Sequence, residues 1–301
     1  MLEIKGLTKS FGDFVAVNDL SLTIHDGEIL GLIGQNGAGK TTTFRLILDF
    51  LNADKGEVLW NGRKITSDDY NVIGYLPEER GLYSKDTIEN QLLFFGALRG
   101  KSKEEINGKI DYWMKKFEVK GKRTDKLKSL SKGNQQKVQL IATLIHEPKL
   151  VILDEPFSGL DPVNADLLKT AVAELREKNV CVIFSDHNMD NVEKMVDSMI
   201  MVKNGEKILD GTVREIRESF GRTKLFIEAE VSAEELSKID GVLDVKTRQD
   251  GSFELTLQNE EVGKEIYKLV TKNGYIPMFN QQPPTLEEIF KMKAGNVNEK
   301  E

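Results

Sequence analysis

Apolar and polar side chains alternate near the start of the chain. Leu20, Leu22 and Ile24 fall on one face, Ser21 and Thr23 on the other. A period of two predicts antiparallel strands over residues 1–30, with Asp26-Gly27 as a hairpin turn. Elsewhere the pattern becomes short continuous apolar runs, at residues 29–33, 150–153 and 180–184. Such runs suit strands covered on both faces, as in a parallel sheet. Residues 56–62 add another strand and turn, and residues 42–48 and 138–145 carry helical spacing. From about 86 to 146 the chain reads as mostly helical and rich in Lys and Glu, a helical subdomain. Its early part holds Leu92, Leu93, Phe94, Phe95 and Leu98.

After Phe220 the pattern changes again. Leu225, Ile227 and Ala229 alternate, a short helical piece carries Ala233, Leu236 and Ile239, and a strand spans 243–248. Phe253, Leu255 and Leu257 alternate after the Asp250-Gly251 turn, and Val262, Ile266, Leu269 and Val270 follow helical spacing. Residues 275–279 read as a last strand, with Pro277 favouring a sheet edge. The sum is β-α-β-β-α-β, a small α+β unit of ferredoxin-like order. Thr285 reads as the N-cap of a final helix. The expected organisation is a domain over 1–221, a second over 222–293 and a polar, disordered tail over 294–301.

Composition narrows the class. The 49 acidic against 42 basic residues give a net charge of −7, which argues against nucleic acid as a major partner. The single cysteine, Cys181, falls in an apolar run, so no disulfide framework arises within one chain and a reducing cytosol fits. No apolar run approaches the roughly 18 residues of a membrane span. The N-terminus reads as neither signal nor transit peptide.

Residues 34–42 carry the chemistry. Gly34, Gln35, Asn36, Gly37, Ala38, Gly39, Lys40, Thr41 and Thr42 fit G-x-x-x-x-G-K-[ST], between a predicted strand and a predicted helix. The glycines let backbone N–H groups crowd around a polyphosphate, Lys40 reaches the β/γ-phosphates, and the Thr41 hydroxyl ligates Mg²⁺. The apolar run at 150–153 ends in Asp154 and Glu155, at the sheet edge where α/β folds bind ligands. Asp154 is expected to hold Mg²⁺ through water and Glu155 to polarise an attacking water. Ser131 reads as the N-cap of a helix whose first turn Gly133 leaves bare, a second phosphate-ready helix start or a plain cap. His187, at the polar tip of the 180–184 run, is by itself as well read as structural.

The order and spacing of these motifs resemble those of the nucleotide-binding subunits of ATP-binding-cassette (ABC) transporters, over about residues 2–220. The resemblance implies an α/β P-loop NTPase: a RecA-like core with an antiparallel β subdomain and a helical subdomain. It makes Ser131, Lys132, Gly133 and Asn134 the signature that acts on the ATP of a second copy. Ser158 and Asp161 belong to the D-loop, His187 is the switch histidine, and Phe11 stacks on adenine. It further implies ATP and Mg²⁺ as cofactors, a head-to-tail dimer and a separately encoded transmembrane permease. The chain would lie in the cytoplasm, peripheral on the membrane, its helical subdomain cupping a short helix of the permease near the Q-loop.

This sequence departs from the family pattern in places. Glu78 stands where a metal-contacting Gln is usual, Lys132 and Asn134 replace Gly and Gln, and Asp186 replaces a small hydroxyl residue. Glutamate can still ligate a hard cation. Residues 78–83 and the signature resemble the ATPases of ABC-2-type exporters, of the sodium-extrusion and drug-resistance kind, and the unit after Phe220 resembles their accessory domain. One cassette, no heptad run and an acidic balance separate the chain from cassette ATPases that work on ribosomes or DNA. Intact Lys40, Asp154, Glu155 and His187 separate it from a module that binds ATP without turnover.

Overall fold

In the computed structural model, which describes residues 1–79, 81–272 and 274–295, the early alternation becomes β1 (Leu2–Phe11) paired antiparallel with β2 (Phe14–Ile24). Leu22 sits opposite Ile4 and Leu20 opposite Leu7, so the apolar set of both strands shares a face. The Asp26-Gly27 turn is not a hairpin. The strand after it, β3 (Ile29–Ile33), is buried at every position and leaves for a second sheet. A strand apolar on both faces needs cover on both, which a sheet with one solvated face does not supply.

The chain continues through α1 (Lys40–Ile47), β4 (Lys55–Trp60), β5 (Arg63–Lys64) and β6 (Ile73–Leu76). The helical stretch holds α2 (Ile88–Leu98), α3 (Lys103–Lys116) and α4 (Lys132–Leu144). Then come β7 (Leu150–Leu153), α5 (Pro162–Glu177), β8 (Cys181–Phe184), α6 (Met189–Met195), β9 (Ser198–Lys203) and β10 (Glu206–Gly211). The first four-stranded sheet has the order β2-β1-β4-β5. The six-stranded sheet has the order β10-β9-β3-β8-β7-β6, with parallel pairing from β9 through β6. Leu2, Ile4 and Trp60 of the antiparallel sheet share one core with Leu30, Ile152 and Ile183 of the parallel one. Because Leu153 lies opposite Phe184 and Phe184 opposite Gly31, the segments that follow β3, β7 and β8 emerge side by side. That adjacency builds the site.

The described chain divides into two compact units, Met1–Asp210 and Gly211–Glu301, so that α7 (Val213–Ser219) falls in the second. The second unit continues as β11 (Lys224–Glu228), α8 (Ala233–Ser237), β12 (Val242–Thr247), β13 (Phe253–Leu257), α9 (Glu261–Val270), β14 (Met278–Gln282) and α10 (Leu286–Ala294). Its sheet order, β12-β13-β11-β14, is antiparallel throughout and gives the ferredoxin-like arrangement. The last strand starts at Met278, later than the 275–279 read from sequence. Phe279 lies opposite Ile227 and Gln281 opposite Leu225, so pairing with β11 sets the bounds, and Pro277, which lacks an N–H, stays outside. Thr285 does cap α10, accepting from the Glu288 N–H. Lys224 is buried, 2.5 Å from Glu288 and 3.4 Å from Glu254, which joins α10 to the sheet. Burial pulls the Lys224 pKa down, but the two carboxylates outweigh it and the net shift is upward. Of the tail expected to be disordered, residues 296–301 lie outside the described residues.

Candidate active site

Residues 34–39 turn from β3 into α1 through backbone that side chains would obstruct. A Cβ on Gly34 would lie 2.5 Å from the Val202 carbonyl oxygen, and one on Gly39 2.3 Å from that of Ala16. Gly39 also sits at φ 107°, in the left-handed region. No side chain caps α1, so its first-turn N–H groups and positive dipole end are left for an anion. Lys40 is buried and its ammonium donates to the carbonyls of Gly34 (2.8 Å) and Gln35 (3.2 Å), bridging the loop.

The two carboxylates after β7 are held by neighbours on β8 and α1. Asp154 is buried; its Oδ2 accepts from the Thr41 hydroxyl at 2.9 Å and its Oδ1 from the Ser185 hydroxyl at 2.7 Å. The Ser185 hydroxyl accepts in turn from the Glu155 N–H at 3.0 Å. Glu155 has φ 50°, an uncommon conformation for a side chain of this size and one that concentrates at functional sites. Its Oε2 is 2.8 Å from His187 Nδ1 and its Oε1 3.9 Å from the Lys40 ammonium.

One cavity of about 440 Å³ is bounded by Phe14, Ala16, Asn36, Gly37, Gly39, Lys40, Thr41, Thr42, Glu78, Asp154, Glu155, Ser158 and His187. The glycine cradle and uncapped helix start fit a polyphosphate. The Thr41–Asp154 pair, with Glu78 beside it, supplies hard oxygen donors that fit Mg²⁺. Thr41, Asp154 and Glu78 would hold that ion, and it would neutralise phosphate charge.

Several expected residues lie elsewhere. Among the described residues lining the cavity, none comes from Ser131, Lys132, Gly133 or Asn134. Ser131 caps α4 as read from the sequence, accepting from the Asn134 N–H at 3.3 Å and its amide at 3.0 Å. Asp161 caps α5 through Asn164. Phe11 is outside the lining; its half-exposed ring lies under the Lys9 ammonium, 5.6 Å from the centroid, and Lys9 pairs with Asp54 at 2.8 Å. Phe14, its cross-strand partner, lines the cavity in its place. Ser185 was not assigned a role from sequence. Its place beyond Phe184, beside the Leu153–Asp154 step, was the available signal. Gln136 was missed too: its amide donates to the carbonyls of Pro156 and Ser158, tying the signature helix to the D-loop.

A parallel sheet with a phosphate cradle after one strand and a braced acid pair after another, joined to an antiparallel sheet and a helical stretch, defines a P-loop NTPase of the cassette type. Residues 17–158 match the ABC transporter family, and residues 211–294 match the C-terminal domain of DrrA1-3-like ATP-binding proteins. The chain is 42% identical over 299 residues to an uncharacterised ABC transporter ATP-binding protein, YhaQ, of Bacillus subtilis, covering 99% of this chain and 100% of that one. It belongs to the ATP-binding proteins of ABC transporters. Among solved structures, an ATP-binding subunit of an ABC transporter aligns at TM-score 0.69 and 30% identity, covering 73% of this chain and 93% of that one. The cbiO1 protein of Clostridium perfringens, part of the transporter complex cbiONQ, aligns at TM-score 0.63 and 26% identity, covering 71% and 89%.

Proposed function

We propose that the chain is the ATP-hydrolysing subunit of an exporter, driving a separately encoded membrane permease by ATP-dependent closure of a head-to-tail pair. The continuous contact Thr41–Asp154–Ser185–Glu155–His187, all of it lining one cavity except the buried Ser185, carries this reading. It puts a metal-competent acid and a base within reach of the same phosphate chain. Glu155 orients and deprotonates the water, and His187 holds Glu155 from the open side. Lys40 and the α1 amides absorb phosphate charge. The placement of residues 131–134 outside their own chain's cavity supports a role for Ser131 on the ATP of the second copy.

Family membership supports a separately encoded permease; among the described residues no helix is long and apolar enough to cross a membrane. The cbiO1 protein is part of the transporter complex cbiONQ, which supports such a partner and a position on the cytoplasmic face. The export direction rests on residues 78–83 and on the match of the C-terminal unit. We place the boundary of the cassette near Asp210 and assign the second unit to tuning the pairing of subunits.

Glu155→Gln tests the assignment. Turnover should fall by about 10²–10⁴-fold, the range lost with a general base, while ATP affinity stays within a few-fold of wild type. Near-normal hydrolysis by this variant would remove Glu155 from the role.

A further inference from the structure

We propose that Glu155, Asp186 and His187 form a zinc site that inhibits the enzyme. The inhibition rests on the reading of Glu155 and His187 given above; the metal binding does not. One ligand atom from each of the three lies within 4.8 Å of the other two. His187 Nδ1 is 2.8 Å from Glu155 Oε2 and 3.9 Å from Asp186 Oδ1. A modest turn of the imidazole, which is 70% exposed, together with a small approach of the Glu155 carboxylate toward Asp186, would let one ion touch all three atoms.

The Asp186 carboxylate is fixed. Asp186 is buried; its Oδ1 accepts from the Asn188 N–H at 2.9 Å and its Oδ2 from the Asn191 amide at 3.0 Å. Each carboxylate oxygen keeps a second lone pair for a metal. One imidazole nitrogen with two carboxylates is a borderline donor set that favours Zn²⁺ over Mg²⁺, which prefers oxygen and retained water. The exposed side of His187 gives an entry path and room for a water as fourth ligand. The Lys40 ammonium, 3.9 Å from Glu155, opposes a further cation, but it faces the other carboxylate oxygen and donates to two loop carbonyls. A bound zinc ion occupies Glu155 Oε2, which would otherwise engage the attacking water, and His187 Nδ1, which would otherwise hold Glu155.

The test uses the nucleotide-free full chain, titrated with Co²⁺ as a visible-absorption probe and then with Zn²⁺ in competition. Wild type should bind one equivalent. Asp186→Asn, which keeps the shape and the acceptor for the Asn188 N–H, should weaken binding by about tenfold or more, as should His187→Ala. Asp186→Ser is the second variant should the first misfold. Turnover is then measured at excess Mg·ATP with rising zinc, each protein against its own zinc-free rate. Wild type should be inhibited and Asp186→Asn inhibited less, by the same factor as its loss of affinity. Absent binding, or equal binding in Asp186→Asn, overturns the site and leaves the Glu155–His187 assignment untouched. Equal inhibition of both proteins points to zinc·ATP and also overturns it. Intact binding with unimpaired turnover overturns the inhibition and counts against the Glu155–His187 assignment itself.

Discussion

Ser185 does more at the site than its size implies. Its hydroxyl donates to Asp154 and accepts from the Glu155 N–H, so one atom sets the geometry of the proposed metal-holding acid and of the proposed base. It is fully buried, and loss of a buried bond to a charged group costs about 1.5–3 kcal/mol. Ser185→Ala should therefore lower kcat by roughly tenfold to a hundredfold with little change in KM, because phosphate contacts come from Lys40 and the loop. A change in KM alone would make Ser185 a mere strut. His146 offers a separate, global readout. It is buried with Nε2 donating to the Ile73 carbonyl at 3.2 Å, and burial, then the Arg99 charge, push its pKa from 6.5 down to about 4. The unfolded chain takes up this proton below pH 6.5 and the folded one only near 4. Its contribution to stability is thus complete above pH 6.5 and is lost as pH falls toward 4, by about 3 kcal/mol. Urea midpoints between pH 4 and 7 should show that slope in wild type and a flatter one in His146→Leu; equal slopes would contradict it. Cys181 needs no functional reading: burial first, then its bond to Asp26, push its thiol up to about 12.

At the scale of elements, the segments most legible in the sequence were those whose pattern answers to a local rule. The apolar runs became β3, β7 and β8. The Gly-Lys-Thr loop became the strand–helix turn, and Thr285 became a cap. What the sequence left open depended on partners. Asp26-Gly27 looks like any hairpin turn until the next strand is seen to pair with β8 and β9. Phe11 and Phe14 are both exposed aromatics of one hairpin, and only the packing of β2 against residues 36–39 decides which one lines the cavity. Ser185 became visible only once Leu153 and Phe184 were found in register. The loop itself is constrained sterically as much as chemically. Gly39→Ala would place a methyl 2.3 Å from the Ala16 carbonyl oxygen at a φ unfavourable to alanine. ATP affinity should drop at least tenfold by isothermal titration, since two or three kcal/mol of strain falls on the phosphate cradle. Wild-type affinity would show that the loop is looser than its contacts.

At the scale of the molecule, the cassette bears the groups proposed to meet the nucleotide, while residues 131–134 form the capped start of a helix outside their own cavity. The cavity thus has one wall of groups suited to phosphate, and residues 131–134 are not part of its lining. In the proposed mechanism a second copy brings its residues 131–134 to that cavity, and closure of the pair would be the mechanical output. The most direct test is sedimentation of Glu155→Gln with and without Mg·ATP. The variant should be monomeric alone and shift to a dimer holding two ATP per pair, and Ser131→Arg added to it should abolish the shift. A variant that binds ATP yet stays monomeric at every concentration, or dimerises equally well with Ser131→Arg, would contradict the paired mechanism.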